Sequence, residues 1–156
     1  SYAVYGCTGL TSLVIPNSVN KVESYSFYGC TGLTSLAIPD SITSIGSYAF
    51  MNCLGLTGEL IVPDSVERVD DGAFMYCYNV TSLIVGTGIK SIGANAFNGC
   101  CKNSGSFYIK SLTPPKINQT IWYTGRNVYV PHSAVSLYKS DDSWRLYWSH
   151  IVGYSF

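Results

Sequence analysis

Charge is what this sequence has least of. Nine basic and nine acidic residues among 156 leave a net charge of zero. A neutral chain has no electrostatic footprint for nucleic acid or for an anionic membrane surface. Histidine occurs only at positions 132 and 150, and no cysteine pair has C-x-x-C spacing. A thiolate or imidazole metal centre therefore lacks its usual ligand pattern, and no metal or cofactor is expected. No spanning segment and no signal peptide is visible, so this segment is expected not to insert into a membrane. The candidate carboxylate pairs are the adjacent Asp70–Asp71 and Asp141–Asp142. Neighbours in sequence point apart in extended chain and do not form the opposed pair of a glycoside hydrolase. Without an assembled catalytic motif, an enzyme is the least supported class, leaving an accessory role within one as its remnant.

What is present is a period. Cysteines fall at Cys7, Cys30, Cys53, Cys77 and Cys100, in steps of 23, 23, 24 and 23 residues, and phenylalanines follow at Phe27, Phe50, Phe74 and Phe97. A fixed repeat of this length marks a solenoid, in which each unit buries its apolar face against its neighbours. Aligned units give a column Leu13, Leu36, Leu60, Leu83 and another Ile15, Ile38, Val62, Val85, two residues further on. Spacing of two is the strand period, and a closing proline such as Pro39 ends the run. A second extended arm carries Val22, Ile45, Val69 and Ile92. The following piece, SYAFMNC in one unit, lacks alternation and reads as a tight helical turn. Ala49, Ala73 and Ala96 precede the phenylalanines, whereas the first unit has Val4 in the phenylalanine column. LTSLAIP becomes LTGELIVP in the next unit, one residue longer, which predicts a bulge at Gly58.

The cysteine column of Cys7, Cys30, Cys53, Cys77 and Cys100 has two readings. One is a structural ladder of buried thiols acting as small hydrophobes; the other is metal binding or a redox switch. One cysteine per unit, always at the same internal place, favours the ladder. Cys101, beside Cys100, is expected to point elsewhere; it is the thiol with most scope for reaction, and a structural role is the leading reading there too.

Beyond Cys101 the pattern shifts. SFYIKSLTPP still alternates, and NVYVP repeats the strand spacing with Val128 and Val130. Ser133 is expected to cap a helix over HSAVSLYKS, with Asp141, Asp142 and Ser143 as a turn and second cap. Trp144, Tyr147, Trp148 and Ile151 stand at helical spacing. That stripe suits a buried face closing the end of the solenoid, with a sugar-stacking platform as the competing reading. The chain reads as an array over 1–110, about four to five units with its start in mid-repeat, and a C-terminal strand and helical cap over 111–156 of the same domain. The bare first unit leaves an apolar edge open to end-to-end pairing.

The pattern in LTSLAIPDSITSIGSYAFMNC resembles the BspA-like, or Treponema-type, leucine-rich repeat, over about residues 1 to 110. The Pro-Pro, VYVP and S-A-V-x-x-Y-K elements resemble that family's ending. The resemblance implies a β-rich solenoid, a right-handed leucine-rich-repeat superhelix of ~23-residue units with short parallel strands, short helical turns and a C-terminal cap. It implies a bacterial cell-surface or secreted protein, located outside the cell, that adheres to host or extracellular-matrix protein. It supplies no catalytic residue. Val4, the Gly58–Glu59 insertion and Gly86, where proline is usual, depart from the pattern.

Residues between the inward strand positions must face out. They form the column Val14, Ala37, Ile61, Ile84, Tyr108, Tyr129, unusually apolar for a solvent face. Solenoids bind along such faces and tyrosine is enriched at interfaces, so Val14, Ile61, Ile84, Tyr108 and Tyr129 are the candidate partner-binding strip. β-propensity alone accounts for the same residues equally well. Trp122 and Tyr123 are the candidates for the alternative, a glycan-binding module.

Overall fold

The computed structural model describes residues 5–101, 105–122 and 125–156. Val4 and Tyr123 lie outside the described residues. Among the described residues ten strands follow in chain order: β1 (Lys21–Val22), β2 (Ser44–Ile45), β3 (Gly58–Val62), β4 (Arg68–Val69), β5 (Val80–Val85), β6 (Ser91–Ile92), β7 (Ser106–Ile109), β8 (Lys116–Ile117), β9 (Val128–Pro131) and β10 (Ile151–Tyr154). They make two parallel sheets, ordered β1-β2-β4-β6-β8 and β3-β5-β7-β9-β10. A single parallel bridge, Val14 to Ala37, continues the second sheet's pattern toward the N-terminus. From β2 to β9 the strands alternate between the two sheets, so the chain coils as a solenoid in storeys, and a helical segment separates β9 from its partner β10.

The strand period decides what each storey buries. In β3 Leu60 and Val62 are buried and Ile61 between them is exposed; in β7 Phe107 and Ile109 are buried. Register stacks these layers, with Leu60 opposite Leu83, Leu83 opposite Phe107, and Phe107 opposite Val128. The register shifts where the longer unit placed an irregularity, and the residue passed over is Thr81 of β5. Gly58, at φ +71°, pairs with Val80 while Glu59 pairs with Ser82, and pairing from Leu60 to Val62 continues undisturbed.

The turn arm differs from the expected helical turn. Two residues in each storey are left-handed: Tyr48 (φ 57°) and Asn52 (φ 61°), then Gly72 (60°) and Tyr76 (67°). A left-handed residue breaks an α-helix at once. It also turns alternate N–H groups outward along the solenoid axis. Ala49, Met51 and Cys53 donate within their own storey, to Gly46, Tyr48 and Phe50 carbonyls. Tyr48, Phe50 and Asn52 donate to the next storey, to Asp71, Ala73 and Met75 carbonyls at 2.9, 2.7 and 2.9 Å. The arm is thus a third hydrogen-bonded ladder, and its bonds offset the cost of a left-handed tyrosine, about 1–2 kcal/mol.

That arm carries the phenylalanine stack. Rings of Phe27, Phe50, Phe74 and Phe97 lie 5.1, 5.2 and 5.7 Å apart between centroids and within 10° of parallel. The stack continues through Phe107 to Trp122. Storeys approach closely enough to exclude a side chain at Gly55. A β-carbon there would meet the Thr31 carbonyl oxygen at 2.5 Å and that of Leu33 at 2.8 Å.

The C-terminal segment is only partly α-helical. A 3₁₀ turn over His132–Ala134 leads into α1 (Val135–Ser140), and a nine-residue 3₁₀ segment follows over Asp142–His150. Ser133 lies inside the first turn and is not the cap; the residue before α1 is Ala134, which makes no side-chain cap bond. Asp141 does cap, its Oδ1 accepting from the Ser143 amide at 2.9 Å. Ile151 leaves the helix altogether and pairs with Val128 in β10. Trp144 and Tyr147, three apart, share a face of a 3₁₀ segment as well as of an α-helix, since 3₁₀ geometry repeats every three residues. Both are buried, while Trp148 is half-buried.

Candidate functional site

The outward strip is assembled by register alone. Ile61 lies opposite Ile84, Ile84 opposite Tyr108, and Tyr108 opposite Tyr129. Val14 and Ala37 are bridged in the same fashion nearer the N-terminus. Val14 is 87% exposed and Ile61 49%. Ile84, Tyr108 and Tyr129 are half-buried, and an additional element leans on the two tyrosines.

That element is the chain's last residues. Tyr108 and Tyr129 stack at 4.9 Å and 23°. Tyr154 meets them at steep angles, 65° and 70°, and Phe156 meets Tyr108 at 79°. Edge-to-face packing of this kind suits the ring quadrupole. Between the strand face and residues 154 to 156 runs a groove of about 390 Å³, lined by Glu59, Ile84, Tyr108, Lys110, Tyr154 and Phe156 among others. Tyr154 and Phe156 do not figure among the candidates drawn from sequence. The signal for Tyr154 was the strand-like run IVGY, which pairs as β10 with NVYVP; Phe156 lies beyond that run.

The cysteine ladder stands at Cys30, Cys53, Cys77 and Cys100, all buried. Thiols of Cys53, Cys77 and Cys100 donate to the carbonyls of Phe27, Phe50 and Phe74, one storey back, at 3.3, 3.3 and 3.1 Å. Each of those carbonyls also accepts the amide of the cysteine in its own storey. Cysteine therefore supplies a small apolar group with one donor where the core has a second lone pair to satisfy. Burial raises the Cys53 thiol. The Cys77 thiol stands well above its ordinary value because of its hydrogen bond with Cys100 and its burial. Two expectations need correction. Cys7 is exposed and is no rung of a buried ladder, having only the Cys30 storey beside it among the described residues. Cys101 is buried, not exposed for reaction, and desolvation pushes its thiol up to about 12 despite the Arg126 charge nearby. A raised thiol pKa favours the fold below the ordinary value of 9.0, and this contribution fades as pH climbs toward 12. A disulfide reagent at neutral pH is accordingly expected to label one thiol of the native chain, lost on Cys7→Ser, and all six cysteines in denaturant.

The remaining candidates have structural roles. Trp122 is 2% exposed and stacks on Phe107 at 4.4 Å, so it offers no face to a sugar. Its burial corrects the exposed-platform expectation, and Tyr123 is outside the described residues. Asp70 pairs with Arg68 at 2.9 Å, Asp71 accepts the Ala94 amide at 2.7 Å, and Asp141 is the cap already described. Among the described residues, no three His, Cys, Asp or Glu side chains gather where a metal ion could be held. Nor is any described helix long and apolar enough to cross a membrane.

Comparison with known protein families gives a match. A family model described as the BspA type leucine rich repeat region matches residues 1–128 in six copies. The match takes in both sheets as far as the start of β9. No curated protein matches the sequence.

Proposed function

The chain belongs to the BspA-type leucine-rich-repeat family, and from that premise we propose that it is a non-catalytic protein-interaction module of a bacterial surface or secreted protein. Its partner is a host or extracellular-matrix protein, held along the outward face of β3, β5, β7 and β9. In this reading the units of ~23 residues coil right-handedly, and the segment over 111–156 closes the C-terminal end. The family's association with bacterial surface proteins supports the location.

One observation carries the reading: Ile61, Ile84, Tyr108 and Tyr129 form an in-register apolar row on a solvent-facing sheet. Natural sheets usually put polar or charged residues there. A contiguous exposed apolar patch marks an interaction site more often than scattered apolar residues do. β-propensity accounts for each residue singly and does not require that they form one unbroken row.

The test uses Val14→Ser with Ile61→Ser, two exposed positions outside the aromatic groove. The melting temperature should stay within a few degrees, as surface changes are worth about ±0.5 kcal/mol. Immobilised wild-type chain should retain matrix proteins such as fibrillar and adhesive glycoproteins, and the double variant should retain several-fold less. Equal retention by the variant removes the strip from the function.

A further inference from the structure

We propose that the aromatic groove at the C-terminal end of the strand face is a docking site for a proline-rich peptide in the extended polyproline II form, flanked by a basic residue at one end and an acidic residue at the other. The proposal rests on the reading of this strand face as the binding side, and it names the chemistry that one end of that face selects.

Ring geometry is the first argument. Tyr108 sits in register between Ile84 and Tyr129, so both of its faces are turned to column neighbours and are closed to a stacking sugar. What it offers outward is an edge and a hydroxyl. Tyr154 and Phe156 stand nearly perpendicular to it, at 65° and 79°, and are 41% and 53% exposed. Rings at right angles form a notch with two apolar walls. Such notches take the puckered ring of proline, and aromatic-lined grooves are the usual receptors for polyproline II segments. That conformation has no internal hydrogen bonds, so its carbonyls remain free acceptors. Tyr hydroxyls and the Ser82 hydroxyl at the groove supply donors.

Charge is the second argument. Glu59 and Lys110 both line the groove. Three ion pairs occur among the described residues, Lys21–Glu23, Arg68–Asp70 and Lys90–Glu67, and neither groove residue belongs to them. The two lie at opposite corners. Glu59 pairs with Ser82 and Ser82 with Ser106, four residues before Lys110. By strand geometry that is about 13 Å along and about 10 Å across, roughly 16 Å in all. At about 3.1 Å per residue, a polyproline II segment covers that distance in about five residues. A ligand with arginine at one end and glutamate at the other, separated by four prolines, spans both charges while its prolines cross the notch.

The probe is therefore the synthetic peptide arginine, four prolines, glutamate, with blocked termini, titrated into the whole chain by calorimetry or by chemical-shift perturbation. Saturable binding is expected, about tenfold weaker or absent when serine replaces the prolines. Tyr154→Ala with Phe156→Ala should lose at least that much. Glu59→Lys should weaken the original probe and gain affinity for a probe with glutamate at both ends, and this exchange decides the matter should the aromatic variant fail to fold. Equal binding of the serine peptide, or no exchange of preference at Glu59→Lys, overturns the proposal. Matrix-protein capture by the wild type alongside a silent probe would sink the groove alone. Probe binding with no loss of capture in Val14→Ser with Ile61→Ser would sink the strip and keep the groove.

Discussion

Phe74→Ala is expected to cost about 3–5 kcal/mol, the range for deleting a buried aromatic ring. Phe74 is fully buried, with Phe50 at 5.2 Å on one side and Phe97 at 5.7 Å on the other. Its loss leaves a void that collapse cannot fill easily, since the backbone ladders on either side fix the storey spacing. Phe74 N–H donates to Ala96 O at 2.7 Å, and Phe50 N–H to Ala73 O at 2.7 Å. Alanine keeps those bonds and keeps the carbonyl that the Cys100 thiol uses. The deficit is therefore packing and nothing else. It is large against a typical domain stability of about 5–15 kcal/mol. Solenoids couple only nearest neighbours, so a break in the middle storey is also expected to lower cooperativity, read as a smaller urea m-value. Phe27→Ala should cost less, because Phe27 is only partly buried and stacks on one described ring of the column. Equal costs at both positions would mean that the stack does not carry the core.

How much of this was legible in the chain follows from which residues repeat. Leu60, Leu83 and Phe107 could be placed in one layer, and Ile61, Ile84 and Tyr108 in another, because a strand period of two leaves no freedom once the alignment of the units fixes the phase. The register shift at Gly58 was legible because one unit alone is longer. The turn arm was misread where Tyr25 and Tyr48 conceal the backbone. Glycine and asparagine stand at the equivalent places, Gly72 and Asn95, and all four have positive φ. That column of Gly and Asn was the available signal, since these two residue types enter the left-handed region most readily. For the candidate site, repetition works against legibility at the C-terminal end. Trp122 and Tyr154 belong to no column; one is buried by Phe107 and the other exposed on Tyr108 for reasons that only the folded path of the last residues supplies. Cys7 belongs to a column, yet burial of its thiol requires a storey on both sides.

Tyr147→Phe removes a single oxygen and is expected to destabilise the chain on the order of 2–5 kcal/mol, an effect out of proportion to the change in volume. The Tyr147 hydroxyl accepts from the amides of Ile121 at 2.9 Å and Trp122 at 3.1 Å, and donates to the Trp122 carbonyl at 2.9 Å. A phenol has one proton and two lone pairs, so every hydrogen-bonding capacity of the group is in use. The site is buried, which is also why the hydroxyl's pKa is raised, although both amide bonds pull it down. Phenylalanine would leave two buried N–H groups and one C=O without that partner, at about 1–3 kcal/mol each where no water can enter. Tyr138→Phe makes the contrast. Its hydroxyl only donates, to the Ser111 carbonyl at 3.1 Å, and that loss should be worth about 1 kcal/mol. Urea titrations should rank the two variants in that order. Amide exchange should locate the damage, with Ile121 and Trp122 exchanging faster in Tyr147→Phe and unchanged in Tyr138→Phe. Were the two variants equally mild, a water molecule would have to be replacing the phenol oxygen, and the last turn of the solenoid would be held by the Phe107–Trp122 stack and the Trp144 bond to the Pro115 carbonyl rather than by Tyr147.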